Sequence, residues 1–488
     1  MNKEDIMTIA EKRGFFFPSS EIYGSMAGFW EYGPLGVALK NRFVELWRKE
    51  LVRKDDMIEI DGSQIMPKDV FVASGHLLSF VDPLVKCQKC KAIMRADKLI
   101  EEKTHQIVPE KLTPKRYDEL ISKFKIVCPR CKGKLNKVAM WNMMFKIGVG
   151  PEDNESYLRP ETCQSIFVDF ARLFKIMRCK LPLGIAQYGK SFRNEISPRQ
   201  CLLRLREFYQ AEIEIFFNPA KNKFEKFNSV KSYKLRLLPL NEKKEIEISC
   251  KDAIDKIISS ELIAYYLALL QQFYSQTGID MRKTRFRQLS EEERAFYAKE
   301  AWDFEVLTDL GWIELVACNY RNDYDLSGHA KQSKQNLAVL DEGKSVIPHI
   351  FELSMGVDRS IYCILEHAFV REKEKGKATE ERNVLRLPLR LAPIQVAVFP
   401  LVSKDKLPEK AEHVYNLLKK DFSAFYDEAG SIGRRYRRQD ETGTPVCVTI
   451  DYQTLKDDSV TTRDRDTMQQ KRVKIDKLKE IFKNAYYS

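Results

Sequence analysis

The chain has 488 residues, of which 44% are hydrophobic and 31% are charged, as in folded proteins with more than one domain. Its net charge of +12 permits a polyanionic partner such as nucleic acid without establishing one. No apolar run approaches the roughly 20 residues that cross a bilayer, and the N-terminus MNKEDIMTIAEKRG lacks a signal-peptide core. Eleven cysteines, an odd number without a secretion signal, indicate a reducing compartment, so we predict a cytoplasmic protein without membrane contact.

The N-terminal part of the chain predicts a helix and then a strand. Aromatic residues and glycines lead to the sequence GPLG at 33–36, and an amphipathic helix is expected directly after it. The stretch MIEIDGSQI at 57–65 then predicts a strand. The apolar side of the helix carries Leu39, Phe43, Leu46 and Trp47.

Two Cys-x-x-Cys pairs lie in a lysine-rich stretch, residues 84–138. Each pair presents two sulfurs to one tetrahedral zinc ion, and two pairs complete a closed structural site. The gap between the pairs is longer than in a compact zinc ribbon, which indicates an insertion held by the metal. The alternative is four free cysteines in a reducing cell. The predicted ligands are Cys87, Cys90, Cys128 and Cys131.

The stretch from Gly189 to Phe216 predicts two strands joined by a basic loop. On a strand, Arg193 and Glu195 would leave the same face, because side chains alternate with a period of two. An arginine, a flat ring and several carboxylates on one face suit a nucleotide and an amine. A solvated, salt-bridged hairpin is the alternative, and the alternation alone does not decide between them. The row on the second strand is Phe208, Gln210, Glu212 and Glu214.

The rest of the chain contains a polar segment, two further strands and a C-terminal unit. Residues 220–300 predict short strands near KLRLLPL and EIEIS and a long helix near 251–277. Strands are expected at WIELVACNYR and HIFELSM, the second followed by an apolar helix. The charged segment REKEKGKATEERN then separates residues 391–488, in which the strands IQVAVFPLV and VCVTID alternate with the helical patterns EKAEHVYNLLKKDF and QQKRVKIDKLKEIF. This alternation predicts a small α/β domain.

Several kinds of catalytic site are not indicated. There is no glycine-rich phosphate loop ending in Gly-Lys-Ser/Thr, and the six histidines have no metal-ligand spacing. His329 is expected in a loop, with a surface or packing role. Ser191 and Ser354 have no recognisable base partner, so covalent catalysis is not expected. Charged residues instead recur within apolar strands in RPET (159–162), FRNE (192–195), the 204–214 strand, DYDL (323–326) and ELSMGVDR (352–359), which favours one shared site.

These stretches resemble the three motifs of the class II aminoacyl-tRNA synthetases. EYGPLGVALKNRFVELW resembles motif 1, SFRNE with Arg204, Phe208 and Glu212 resembles motif 2, and SMGVDRS with Arg359 resembles motif 3. Within that class, the blocks SGH, YLRPET, SFRNEISPRQ, RFRQ, GWIE and GTPVCVTID are similar to the dimeric (α2) glycyl-tRNA synthetase family. The resemblance extends over nearly the whole chain.

The resemblance implies an α+β fold, with an antiparallel sheet flanked by helices, a zinc-binding insertion and a C-terminal α/β anticodon-binding domain. The implied catalytic core comprises residues 1–83, 139–219 and 301–385. The zinc-binding insertion is 84–138, and the anticodon-binding domain is 386–488. A second insertion is 220–300, for which tRNA contact is one role that stays open. In that last domain the basic cluster Arg434, Arg435, Arg437 and Arg438 is expected at a strand edge, where RNA contact and a solvated face both remain open.

The resemblance also implies the reaction: glycine attacks ATP to form glycyl-adenylate, and the glycyl group passes to tRNA(Gly). A homodimer, Mg²⁺ and structural Zn²⁺ are expected with it. Arg193 and Arg359 would be catalytic. The implied ATP-binding residues are Arg193, Glu195, Arg204, Phe208, Arg321 and Arg359, of which Arg204, Arg321 and Arg359 would hold phosphates with Mg²⁺. The implied glycine-binding residues are Glu161, Glu212, Glu352 and Ser354.

Some residues near the implied site depart from the family pattern. They are Cys163, Ser165, Cys201, Leu353 and Met355. None removes a charged ligand. Two other functions remain as alternatives: an inactive synthetase-like subunit that binds nucleic acid, as in the accessory subunit of mitochondrial DNA polymerase, and a class II synthetase for serine, proline or threonine. The retained motif charges argue against the first, and the pocket carboxylates against the second.

Overall fold

The computed structural model describes residues 3–106, 108–109, 112–196, 198, 201–221, 223–373 and 381–487. In chain order its strands are β1 (Phe16–Pro18), β2 (Trp30–Tyr32), β3 (Ile58–Ile60), β4 (Ile65–Pro67), β5 (Val81–Lys86), β6 (Ile93–Arg95), β7 (Ala139–Asn142), β8 (Phe145–Val149), β9 (Asn154–Leu158), β10 (Leu183–Phe192), β11 (Glu207–Phe217), β12 (Lys234–Leu238), β13 (Ile246–Ser249), β14 (Thr284–Gln288), β15 (Glu300–Thr308), β16 (Gly311–Asn322), β17 (Val339–Asp341), β18 (Lys344–Val346), β19 (His349–Gly356), β20 (Phe369–Lys373), β21 (Glu381–Leu385), β22 (Val396–Pro400), β23 (Ala424–Tyr426), β24 (Val446–Ile450), β25 (Ser459–Asp464) and β26 (Gln470–Lys474).

Helices occur along the whole described chain, and none of those described has the length and apolar character that a membrane span requires. The α-helices are α1 (Lys3–Arg13), α2 (Pro34–Trp47), α3 (Lys68–Ala73), α4 (His76–Ser79), α5 (Ala96–Thr104), α6 (Pro114–Lys123), α7 (Cys163–Ile176), α8 (Cys250–Ile254), α9 (Glu261–Ser275), α10 (Tyr324–Ser333), α11 (Val357–Ala368), α12 (Leu407–Leu418), α13 (Ile432–Thr442), α14 (Thr454–Asp457) and α15 (Leu478–Tyr487).

Helix α2 begins where the sequence predicts it. Gly33 is extended and Pro34 occupies the first turn, a position at which the missing amide hydrogen of proline leaves no helical bond unmade. The predicted apolar side, including Phe43 and Trp47, is buried in the main hydrophobic core. The prediction of an amphipathic helix here is therefore confirmed.

The largest sheet in the described part of the chain has nine strands, in the order β13-β12-β14-β15-β16-β19-β11-β10-β3. Its pairs are antiparallel except β12 with β14 and β10 with β3, which are parallel. One face packs against α2, α9 and α11, and the other packs against α7 and α10. The predicted antiparallel sheet flanked by helices is confirmed, with these two parallel pairs as the difference.

Strand β11 divides its residues between the two faces of this sheet. Ile213 and Ile215 enter the core beneath α9 and α11, whereas Phe216 packs with α7 on the opposite face. Because side chains alternate, the even-numbered residues Phe208 to Phe216 share the α7 face. This confirms the predicted row of ring, amide and carboxylates.

Residues 220–300 join the same sheet and core rather than packing apart from them. β12, β13 and β14 extend the nine-stranded sheet, and α9 is buried in the main core. The single long helix expected near 251–277 is wrong, because α8 and α9 are separate elements. The first ends at Ile254. Ser260 is extended, and its hydroxyl accepts a hydrogen bond from the amide of Ile263 at 3.3 Å to cap the second.

The cysteine-bearing segment forms a small unit with its own core. Its three-stranded sheet has the order β6-β5-β7, and α5 and α6 pack on it through residues such as Val85, Ile100 and Tyr117. Met143, next to β7, accepts a hydrogen bond from the amide of Asn194 at 2.8 Å. The unit is thereby attached to the loop that follows β10.

The C-terminal residues form a five-stranded sheet in the order β23-β22-β24-β25-β26, with a separate core beneath α12 and α15. The predicted α/β character is confirmed. The helix expected from residue 469 is wrong in its first half, since β26 pairs with β25 before α15 begins. Residues 374–380 of the predicted separating segment lie outside the described residues.

Candidate active site

A cavity of about 610 Å³ opens on the sheet near the ends of β10, β11 and β19. It brings together residues from all the charged stretches of the sequence except DYDL. Eight of the ten residues predicted to bind ATP or glycine line it: Glu161, Arg193, Glu195, Arg204, Phe208, Glu352, Ser354 and Arg359. Glu212 and Arg321 lie beneath its floor.

The hairpin of β10 and β11 has the predicted antiparallel pairing, with Ser191 opposite Phe208. Strand β10 ends at Phe192, so Arg193 and Glu195 lie in the loop and not on a strand face as predicted. The amide of Glu195 donates to the carbonyl of Arg193 at 2.7 Å. A tight turn, and not strand alternation, therefore points both residues toward the cavity.

The guanidinium group of Arg193 lies between two aromatic rings. Its Cζ is 5.3 Å from the ring centre of Phe208 and 5.4 Å from that of Phe80, and its Nε donates to the carbonyl of Pro160 at 3.0 Å. Flat cation–ring contacts together with one fixed hydrogen bond restrict the side chain to one orientation. Arg193 is thus a preoriented cation in the cavity wall.

Glu195 and Arg204 bind each other in this structure. Arg204 donates from Nε at 2.8 Å and from Nη2 at 2.5 Å to one carboxylate oxygen of Glu195. Glu195 is buried, whereas Arg204 is about one-third exposed. A ligand that carries both a phosphate and an amino group could bind Arg204 through the phosphate and Glu195 through the amino group.

Arg359 is held at the opposite side of the cavity. Its Nε donates to the carbonyl of Leu203 at 3.1 Å, and its Nη1 donates to the carbonyl of Glu314 at 3.0 Å. Its neighbour Asp358 accepts from the Tyr32 hydroxyl at 2.5 Å and the Tyr209 amide at 2.6 Å. These two hydrogen bonds hold the start of α11 in place, and burial raises the pKa of Asp358 to about 6.

Glu212 accepts three side-chain hydrogen bonds at the floor of the cavity. The hydroxyls of Thr162 and Ser354 donate to it at 2.5 Å each, and Gln210 donates at 3.1 Å. Ser354 is its register partner on β19. Three donors on a fully buried carboxyl group fix its position.

Glu352 accepts one bond on each oxygen, from Arg321 Nη1 and from Asn319, both at 2.7 Å. Arg321 also pairs with Asp325 at 2.7 Å and lies 3.8 Å from the Tyr297 ring centre. The structure therefore does not place Arg321 among the phosphate-binding arginines predicted for ATP. The strand irregularity between Tyr320 and Asn322 turns its side chain into the buried carboxylate network.

Glu161 lies in a network that the motifs did not indicate. His76 Nε2 lies 3.4 Å from one oxygen of Glu161, and Gln164 donates to that oxygen at 2.8 Å. Burial opposes ionisation, but the neighbouring charges of His76 and Arg321 outweigh it and hold the pKa of Glu161 well below its ordinary value. His76 was recognisable only as part of the SGH block.

His329 belongs to the same network and corrects a prediction. It lies in α10 and not in a loop, it is buried, and its Nε2 lies 3.1 Å from Oε1 of Gln164. Its role is to hold the amide that binds Glu161. No signal in the sequence connected His329 with Gln164, since 165 residues separate them.

Glu214 is a buried carboxyl that belongs to the predicted row on β11 but not to the predicted glycine-binding residues. Neither of its oxygens has a hydrogen-bond partner, and its register partner across the strands is Glu352. Burial, reinforced by the charge of Glu352, raises the pKa of Glu214 far above its ordinary value. Glu214 is therefore a neutral acid at physiological pH.

Replacing Glu214 with glutamine should stabilise the protein increasingly as the pH rises from 6 to 8. The unfolded chain ionises above about pH 4.3, whereas the folded state holds the proton, so wild-type stability falls by up to ~1.4 kcal/mol per pH unit. Glutamine has no proton to lose. Melting temperatures of the two proteins should diverge over this range.

Glu155→Gln is the control for this experiment. Hydrogen bonding from Tyr157, with help from Lys68, lowers the pKa of Glu155 to about 2, so both states are ionised at pH 6 and pH 8. The difference between Glu155→Gln and wild type should stay constant. A constant difference for Glu214→Gln as well would show that Glu214 is ionised in the folded protein.

The four predicted zinc ligands converge at the turns that follow β5 and precede β7. Cys87 Sγ is 3.5 Å from Cys131 Sγ, and Cys90 Sγ is 3.6 Å from Cys128 Sγ. A tetrahedral zinc with Zn–S bonds of ~2.3 Å needs sulfurs ~3.8 Å apart, so the set fits this metal. The backbone amide of Cys90 lowers the pKa of Cys87 to about 6, whereas the neighbouring sulfurs outweigh the backbone amide of Ala92 and raise the pKa of Cys90 to about 11. Zinc binding would therefore have to displace a proton from Cys90.

The basic cluster of the C-terminal sheet lies on α13 and not at a strand edge. Arg435 is buried and donates to the carbonyls of Leu401 and Asp427 at 3.1 Å and 3.2 Å. Arg438 pairs with Asp427 at 2.6 Å. These two arginines are structural, and Arg434 and Arg437 are the exposed members of the cluster.

Comparisons with known proteins agree with this architecture. The model of the tRNA synthetase class II core domain (G, H, P, S and T) matches residues 145–368, and the anticodon binding domain model matches residues 395–485. The predicted fold class is thereby confirmed, including the C-terminal anticodon-binding domain.

Relatives named glycine–tRNA ligase match nearly the whole chain. The protein from Methanothrix thermoacetophila is 39% identical, with 99% of this chain and 96% of the relative covered. The protein from Methanocaldococcus jannaschii is 39% identical, with 98% of each covered. That from Thermococcus gammatolerans is 40% identical, with 97% of each covered. The chain therefore belongs to the glycine–tRNA ligase family of class II aminoacyl-tRNA synthetases.

Proposed function

We propose that this protein activates glycine with ATP and transfers the glycyl group to the terminal ribose of tRNA(Gly). The observation that supports this function best is the position of three carboxylates, Glu161, Glu212 and Glu352, at or beneath the floor of a cavity walled by arginines. Carboxylates suit the glycine ammonium group, and arginines suit the phosphates of ATP.

In the activation step, a carboxylate oxygen of glycine attacks the α-phosphorus of ATP. A new oxygen–phosphorus bond forms, the bond to the β-phosphate breaks, and pyrophosphate leaves. Arg193 and Arg359 are assigned to neutralise the charge that builds up on the phosphates. No protein nucleophile is required, because positioning and charge neutralisation lower the barrier.

The ATP site uses the residues around Arg193. Phe208 stacks on adenine, Glu195 accepts a hydrogen bond from its amino group, and Arg204 contacts phosphate. Asp303 and Glu314 also line the cavity, and burial together with the charge of Glu314 raises the pKa of Asp303. Two close carboxylates fit Mg²⁺, which when bound neutralises phosphate charge.

The glycine site consists of Glu161, Glu212, Glu352 and Ser354. Arg321, first assigned to ATP, is reassigned as the residue that positions Glu352 and balances its charge. A larger amino acid would collide with this tightly bonded floor, so glycine is selected without a separate editing site.

ATP–pyrophosphate exchange tests this function. Glycine should support exchange, whereas alanine, serine, proline and threonine should not. Exchange with one of the other amino acids would identify a different class II synthetase. No exchange with any amino acid would favour the alternative of an inactive nucleic-acid-binding subunit.

A structural zinc ion at Cys87, Cys90, Cys128 and Cys131 forms part of the proposal. The purified protein should contain one zinc ion per chain, and Cys90→Ser should lose it and melt at a lower temperature. Elemental analysis and thermal melting measure both effects. Cys179→Ser, which changes a cysteine outside the cluster, is the matched control and should retain zinc.

The proposed domains are a catalytic core of residues 1–83, 139–219 and 301–385, a zinc-binding insertion of 84–138, a second insertion of 220–300 that extends the sheet of the core, and an anticodon-binding domain of 386–488. The exposed Arg434 and Arg437 are the members of the basic cluster assigned to RNA phosphates. Their replacement should weaken tRNA binding without changing exchange.

The homodimer is supported by an exposed apolar segment near α2, with Ile22 and Tyr23 each 88% exposed and Met26 68% exposed. Sedimentation equilibrium should give twice the chain mass of 57.0 kDa. A cytoplasmic location is supported by the eleven cysteines, none of which forms a disulfide.

A further inference from the structure

One wall of the ATP cavity comes from the cysteine-bearing unit, to which neither the motifs nor the relatives assign a part in the reaction. Arg95, Asp97, Lys98 and Glu101 line the cavity from this side. Arg95 is the last residue of β6 and pairs in register with Leu84 on β5. Asp82, two residues earlier on β5, is buried.

These residues form a chain of ion pairs that reaches the ATP site. Arg95 Nη1 lies 2.9 Å from Asp82 Oδ2, and the same guanidinium contacts Asp97 at 3.0 Å and 2.5 Å. Arg204 Nη2 lies 3.9 Å from that same oxygen of Asp82 and 2.5 Å from Glu195. Asp82 is therefore shared between the two arginines.

ATP must draw Arg204 away from its present carboxylate partners. With Arg95 in place, Asp82 already has a close cation, and its hold on Arg204 at 3.9 Å is weak. Without Arg95, Arg204 is the one cation left among the described contacts of Asp82. A buried, uncompensated carboxylate is costly, so Arg204 would move onto it.

We infer that Arg95 is a positioning residue for ATP binding, which neutralises Asp82 and so leaves Arg204 available to phosphate. This inference rests on the proposed assignment of Arg204 to ATP. It gives the cysteine-bearing unit a part in the activation step, because Asp82 and Arg95 lie on the hairpin whose turn carries Cys87 and Cys90.

The test measures ATP–pyrophosphate exchange with ATP and glycine varied separately. Arg95→Ala should raise the KM for ATP by about tenfold and leave the KM for glycine unchanged. Arg95→Lys keeps the charge and should stay within about twofold of wild type. Should Arg95→Ala fail to fold, Arg95→Gln takes its place, since it keeps a polar contact to Asp97 without the charge.

The decisive variant is the double change Asp82→Asn with Arg95→Ala. If Asp82 traps Arg204, removing its charge should return the KM for ATP to within about twofold of wild type. If Arg95 acted only through packing or stability, this change would not restore the KM for ATP. Arg116→Ala is the matched control, because Arg116 lies in the same unit, pairs with exposed Glu119 and does not line the cavity.

The remaining outcomes separate this inference from the proposed function. Arg204→Ala should raise the KM for ATP. An unchanged KM would refute the assignment of Arg204 itself and the inference with it. A raised KM for Arg204→Ala with an unchanged KM for Arg95→Ala, or no rescue in the double variant, would overturn the role of Arg95 alone.

Discussion

Replacing Arg193 with alanine should reduce glycine-dependent ATP–pyrophosphate exchange by about a thousandfold, the size expected when a preorganised charge at the reacting centre is lost. Arg193 is held between Phe80 and Phe208 with its Nε on a backbone carbonyl, so its orientation exists before substrate binds. Arg193→Lys should recover part of the rate, since a point charge remains but the flat contact with both rings is lost.

The control is Arg172→Ala, which removes an arginine from the exposed side of α7. It should exchange at the wild-type rate. An Arg193→Ala protein that retained most of its exchange activity would remove Arg193 from the catalytic residues and leave Arg359 as the remaining candidate.

Glu352→Gln should raise the KM for glycine by about a hundredfold, equivalent to losing ~3 kcal/mol of charge-assisted hydrogen bonding to the ammonium group. Donors on both oxygens, Arg321 and Asn319, fix the position of the Glu352 carboxyl. Burial raises the pKa of Glu352 to about 8, and the positive charge of the glycine ammonium group favours the ionised form. The KM for ATP should change little, because the substitution lies at the floor of the cavity and away from Arg204.

Glu214→Gln is the matched control, because it makes the same chemical change at the register partner of Glu352. Glu214 has no partners and is neutral, so glutamine should be accepted there with the KM for glycine nearly unchanged. Equal losses in the two variants would mean that the pair acts as a unit and that glycine does not bind Glu352 alone.

Much of the fold followed from local patterns. The spacing of apolar residues in α2 and the alternation of side chains along β11 each reflect burial of one side of a regular element. This periodicity can be recognised within a short stretch of sequence. Predictions failed where a neighbouring element decided the outcome. Residues 470–474 have a helical pattern but pair with β25, because an unpaired strand edge was available beside them.

The residues of the candidate site were predictable where they lie in stretches that resemble family motifs. The residues that line the cavity were identified because their stretches resemble family motifs, and the structure brings eight of them together. The role of Arg321 was not predictable. Of its two partners, Asp325 is close in sequence and Glu352 is distant. A strand irregularity decides which way the Arg321 side chain turns.

The sequence by itself determined the family and the sheet-and-helix class, and it predicted the four sulfur ligands and the charged residues of the ATP and glycine sites. Each depends on residue type and spacing within short stretches. Only the tertiary structure decided how charge is shared: Glu214 stays neutral beside Glu352, His76 and His329 support Glu161, and Arg95 competes with Arg204 for Asp82. Burial and distance between residues far apart in the chain set these interactions, and no local pattern encodes them.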